Sequence, residues 1–120
     1  MQMIYVSHPY GGDATNAKKV DVIVRALQAQ SETEDSEIVF VSPIHAIRCD
    51  YHGMDYIKGL SYCIRLLKSC DAILMTGNWR ESTGCVSEYF TALALGIDVI
   101  EQIHVDNPEA QAYIEGGTFD

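Results

Sequence analysis

Residues 71–96, DAILMTGNWRESTGCVSEYFTALALG, run from a short apolar stretch through a polar break into an apolar stretch of helical length. Ala72 to Met75 has the length and residue types of a buried strand. Thr76, Gly77 and Asn78 end it, a polar loop passes through Arg80 and Glu81, and Ser82, Thr83 and Gly84 restart the chain as a helix. Strand, loop and helix in that order make half of a βαβ unit, and such units take ligands beyond the carboxyl ends of their strands. The loop is therefore the first candidate for a site.

Glu88 lies inside that helix. With Ser82 or Thr83 as N-cap, a capping-box acid would fall at Cys85 or Val86, so capping does not account for it. At about 100° per residue it falls between Ala92 and Leu95, on a helix whose exposed arc is expected to hold only Ser87 and Thr91. A carboxylate on an apolar stripe needs a partner or a role, because burying it unpaired is costly. The plainer alternative is a flanking glutamate that reaches solvent, Arg65 or Arg80.

The rest of the chain repeats the unit. Met3 to Val6 reads as a first strand, Ser7 to Gly12 as a turn-rich loop, and Asp13 or Thr15 as the N-cap of a helix carrying Ala17, Val20, Ile23, Val24 and Leu27. Ser31 to Ser36, SETEDS, reads as a solvated connection, Glu37 to Val41 as a second strand, and Leu60 to Ser69 as a helix. Residues 44–59 show no sustained period. Gly96 is a natural C-cap, Asp98 to Ile103 a final strand, and Asp106 or Asn107 with Pro108 the start of a short helix before a frayed tail at 116–120. The order predicts one α/β domain over 1–120, with a Rossmann-like or flavodoxin-like parallel sheet of four to five strands and helices on both faces.

Composition limits the partners. The formal charge is -9 and the pI about 4.7, so a long nucleic acid is not expected, while a small phosphorylated ligand is compatible because backbone amides bind phosphate without a basic patch. No run approaches the ~20 apolar residues that span a bilayer. No signal sequence is recognised, and Cys49, Cys63, Cys70 and Cys85 form no CxxC pair, so a cytoplasmic protein with reduced thiols, no metal and no cofactor is expected.

Three loops leave the carboxyl ends of successive strands: 7–12, 42–55 and 76–84. In the first, Ser7, Tyr10, Gly11 and Gly12 suit close backbone approach to a phosphate or sugar, although Tyr10 reads equally well as a packing aromatic. The second offers Pro43 and Ile44 as an apolar wall, together with His45, Asp50, His52 and Asp55; the third offers Asn78. Asp71, at the opposite edge, is expected to be structural.

Taken together, IYVSHPYGG, the SP after the second strand, CDAIL, GNWREST and STGCVSEYFTALALG resemble the nucleoside 2-deoxyribosyltransferase superfamily over roughly residues 3–100. The likeness is to its small phage and bacterial members and, more distantly, to its 2′-deoxynucleoside 5′-phosphate N-glycosidases. The resemblance implies N-glycosidic bond cleavage with Glu88 as nucleophile, Tyr10 as its supporting hydroxyl, Ser82, Thr83, Gly84 and Ser7 as phosphate or sugar contacts, and Pro43 with His45 beside the base. It also implies a nucleoside or nucleotide as the small-molecule partner, and a homodimer or larger assembly. One position departs from the pattern: the family's acid falls at Cys63, which leaves Asp50 or Asp55 to protonate the base, or leaves a protein that binds a nucleotide without turning it over.

Overall fold

The computed structural model describes residues 1–11, 13–46 and 56–119, with the side chains of 45, 46 and 56 outside that description. Four strands, β1 (Gln2–Ser7), β2 (Ile38–Val41), β3 (Ala72–Met75) and β4 (Asp98–Ile100), form one all-parallel sheet in the order β2-β1-β3-β4. The strand order reverses direction at β1 and β3, where Tyr5 pairs with Val41 on one side and Ile73 on the other. Between the strands run α1 (Ala14–Thr33), α2 (Pro43–Ala46), α3 (Tyr56–Leu67) and α4 (Thr83–Leu95), and α5 (Pro108–Ile114) follows β4. This is the Rossmann-like, flavodoxin-like arrangement that the alternation of elements predicts. None of the described helices is long and apolar enough to cross a membrane.

Side chains of a strand alternate between faces, and the sheet sorts them accordingly. Ile4, Val6 and Leu74 pack with Ile23 and Leu27 of α1 and with Ala110 and Ile114 of α5. Tyr5, Ile73 and Met75 pack on the other face with Leu67 of α3 and with Cys85 and Ala92 of α4. Complete burial of an isoleucine or leucine contributes about 1.5–3 kcal/mol, so the two-sided cores of β1 and β3 hold the sheet together. At the amino edge the Met3 amide donates to Asp71 Oδ2 at 2.8 Å, the structural role expected of that aspartate.

Several boundaries differ from the sequence expectation, each for a physical reason. SETEDS is solvated at 32–35 but is not all connection: α1 runs to Thr33, and Ser31 is buried with its hydroxyl 2.7 Å from that of Ser36. The last strand stops at Ile100. Beyond it, Gln111 of α5 accepts from the Val105 amide and donates to the Ile103 carbonyl, taking the place of a neighbouring strand. The tail is not frayed at 116, since the Gly116 and Gly117 amides donate to the Tyr113 and Ala112 carbonyls. On α4, Ser87 and Thr91 are half-buried and the outer arc is apolar, with Phe90 61% and Leu93 51% exposed.

Candidate functional site

Three consecutive features place Glu88. Ser82 caps α4, its Oγ accepting from the Cys85 amide at 3.3 Å. Glu88 follows six residues later on the face that meets the sheet, in register with buried Cys85 and Ala92. Opposite it, alternation along β1 turns Tyr5 and Ser7 to the same side.

The carboxyl of Glu88 is 6% exposed and takes two hydroxyl donors, Tyr5 Oη to Oε2 and Ser7 Oγ to Oε1, the latter at 2.9 Å. Burial raises its pKa above the ordinary value of 4.5, and the hydrogen bonds from Tyr5 and Ser7 work against that rise. Burial, reinforced by the charge of Glu88, raises the Tyr5 phenol as well, so it stays a donor. Cys63 on α3 belongs to the same cluster: burial and the Glu88 charge push its thiol up to about 11. The Cys85 thiol is also raised, by burial. The cluster therefore comprises one ionisable carboxyl held by hydroxyls and flanked by protonated thiols.

The sign of the Glu88 shift gives a stability prediction. A carboxyl whose pKa is higher in the folded state binds its proton more tightly there, so folding is favoured at low pH, and that advantage is lost as the pH climbs from 4.5 through the raised value. Thermal melts of the wild type and Glu88→Gln are expected to diverge over that window, with the glutamine variant the more stable at neutral pH. Parallel melting curves from pH 4 to 8 would show that the carboxyl is not held as described.

The hydroxyls found on Glu88 are those of Tyr5 and of Ser7, the latter expected as a phosphate or sugar contact, whereas Tyr10 is the hydroxyl expected to support it. Tyr10 stands in the loop after β1, and its carbonyl accepts from Asn16 Nδ2 at 3.2 Å. A phenol inside the apolar run of the first strand needs a polar partner, and that is the signal in the sequence that marks Tyr5. Neither Arg65 nor Arg80 serves Glu88: Arg80 pairs with Glu101 at 3.0 Å.

The other expected contacts are spread along the carboxyl edge of the sheet. Thr83 and Gly84 form the first turn of α4, Pro43 opens α2, and Gly11 is exposed in the first loop. Asn78 and Ser82 border a cleft of about 290 Å³ with His8, Lys19 and Tyr113, and Glu88 is not part of its lining. Gly12 and Asp55, together with Asp50 and Cys49, lie outside the described residues, as does the side chain of His45. Among the described residues no group of three or more His, Cys, Asp or Glu side chains is placed to hold a metal ion. Ser42, at the end of β2, keeps a buried hydroxyl with no hydrogen-bond partner among the described residues.

Compared with known families, residues 3–101 match the model of one described as a domain of unknown function, DUF4406. The matched span holds the four strands but for Gln2, together with the whole Glu88 cluster, and stops short of α5. No curated protein matches the chain.

Proposed function

The chain belongs to the DUF4406 family, whose description assigns no activity, and from the resemblance to nucleoside 2-deoxyribosyltransferases together with the setting of Glu88 we propose that it is a nucleoside or nucleotide N-glycosidase or 2-deoxyribosyltransferase. The observation that carries this reading is Glu88, a buried carboxyl held by two hydroxyls of the central strand β1. Hydroxyl donors fix a carboxylate in one orientation while leaving lone pairs free for attack.

In the proposed reaction a Glu88 oxygen bonds to C1′ of the sugar as the C1′–N bond breaks, and the electron pair leaves on the base nitrogen, which takes up a proton. The resulting sugar ester on Glu88 is then opened at C1′ by water, which releases the sugar and a proton and restores the carboxylate. A second base nitrogen in place of water makes the reaction a transfer. Cys63, whose thiol is pushed up to about 11, is too weak an acid to supply the first proton, so another group does.

That same thiol favours a second reading, a binder that holds the nucleotide intact. The two part on Cys63→Asp, expected to raise base release if a missing acid is the only defect. The outward apolar arc of α4, with Phe90 and Leu93, supports self-association, measured by light scattering.

The direct test is incubation with ribo- and deoxyribonucleosides and their 5′-monophosphates, followed by chromatography for free base. Base released from one of them supports the enzymatic reading. A raised melting temperature with the ligand intact supports the binder, and neither response would overturn both.

A further inference from the structure

The cleft beside Asn78 lies where β1 and β3 diverge, the position at which open parallel sheets take ligands, yet none of the groups bonded to Glu88 lines it. Its walls come from the loops after β1 and β3, from α1, and from the end of α5, beyond the residues matched by the family. Two glycines make room for it. Gly77 (φ 68°) and Gly116 (φ 86°) both sit in left-handed backbone, and a Cβ would come within 2.9 Å of His8 Nε2 at the first and 2.5 Å of Asn78 Oδ1 at the second. The Gly77 amide donates to the Ile114 carbonyl at 2.8 Å, locking the two walls together.

Several polar groups line it, and Lys19, Asn78 and His8 each keep hydrogen-bonding capacity that no described residue takes up. Lys19, half-buried on α1, holds its ammonium 5.7 Å from the centre of the Tyr113 ring, and no carboxylate among the described residues comes within 4.0 Å of it. The Asn78 side chain makes no hydrogen bond with any described residue. Ser82 Oγ accepts from the Cys85 amide at 3.3 Å and its hydroxyl also meets the Cys85 thiol, so it is already engaged by α4. His8 Nδ1 faces the Pro9 carbonyl at 2.7 Å, which fixes the tautomer and leaves Nε2 as a bare acceptor. Burial and the charge of Lys19 lower the His8 pKa, so the ring is neutral. Glu81, at the rim, is exposed and screened by solvent.

A cation and an amide that donate, lining one cleft with a neutral nitrogen that accepts, match a group with several anionic oxygens and one hydroxyl. We infer that the cleft is a binding site for a singly protonated phosphoryl group, whose oxygens accept from Lys19 and Asn78 while its P–OH donates to His8 Nε2. The site does not depend on the chemistry of Glu88, and nothing in it requires a nucleotide.

Titration calorimetry with inorganic phosphate tests this. Saturable binding is expected for the wild type, with the dissociation constant at least ten-fold higher in Lys19→Gln and in Asn78→Asp, and unchanged in Lys18→Gln, which removes the same charge from an exposed neighbour. Sulfate, unprotonated at neutral pH, is expected to bind at least ten-fold more weakly than phosphate; equal binding would remove His8 from the site. At pH 6, where a phosphomonoester also keeps a P–OH in good part, ribose 5-phosphate binding more tightly than phosphate identifies a phosphomonoester as the ligand, and equal affinities identify the free ion. No saturable binding, or equal loss in the Lys18 and Lys19 variants, would overturn the inference. Glu88→Gln is expected to bind phosphate as the wild type does, so failure here and failure of the glycosidase reading are separate results.

Discussion

Glu88→Gln is expected to lower base release by three or more orders of magnitude while leaving the fold intact. Removing a covalent nucleophile eliminates the route that divides one difficult displacement into two easier ones, and losses of that size, about 4 kcal/mol or more in barrier, are usual for such groups. The substitution is close to isosteric, and a glutamine can still accept from Ser7, so lost activity without lost structure is the discriminating result. Wild-type turnover by the variant would remove Glu88 from the mechanism. Tyr5→Phe is the companion. It deletes a hydrogen bond that lowers the Glu88 pKa, so the rising limb of the pH–rate profile, which marks ionisation of the nucleophile, is expected to move to higher pH. A limb that stays in place while the rate falls would mean that Tyr5 acts in some other way.

The second large effect is on stability. Ile73→Ala is expected to cost about 2–5 kcal/mol, the range for deleting a fully buried aliphatic side chain and leaving a cavity. Ile73 is 0% exposed, lies in the middle of β3 and is paired in register with Tyr5. Ordinary domains have about 5–15 kcal/mol in total, so the melting temperature should drop by roughly 10 °C or more. Because the cavity opens beside Tyr5, activity is expected to fall in the surviving folded protein too. A shift of only a degree or two would show that the site repacks and that β3 is less rigid than its burial implies.

The central unit was legible in the sequence because each of its signals has a local cause. Ala72–Met75, the Ser82 cap and Gly96 as C-cap all stand where the residue types require. Glu88 stood out as a carboxyl on an apolar stripe. Features fixed by distant partners were not legible. Nothing local says that Ser31 is buried against Ser36, or that Gln111 reaches back to Ile103 and Val105. The outer arc of α4 misled for the same kind of reason: its residues are apolar nearly all round, so the stripe that faces the sheet cannot be told from the one that faces outward by period alone. Tyr5 was readable in principle, since alternation sets it beside Ser7, but choosing between Tyr5 and Tyr10 depends on which face of β1 receives α4.

The position of β1 between β2 and β3 also orders the assembly of the molecule in time. β1, synthesised ahead of β3 and α4, supplies both hydroxyls that hold Glu88, yet β3 begins at Ala72 and the glutamate itself follows at 88. An emerging chain carries Tyr5 and Ser7 long before it carries anything for them to hold. The reactive group thus acquires its orienting contacts only when the first and third strands close on each other, so a partly folded chain has the carboxylate but not the constellation around it.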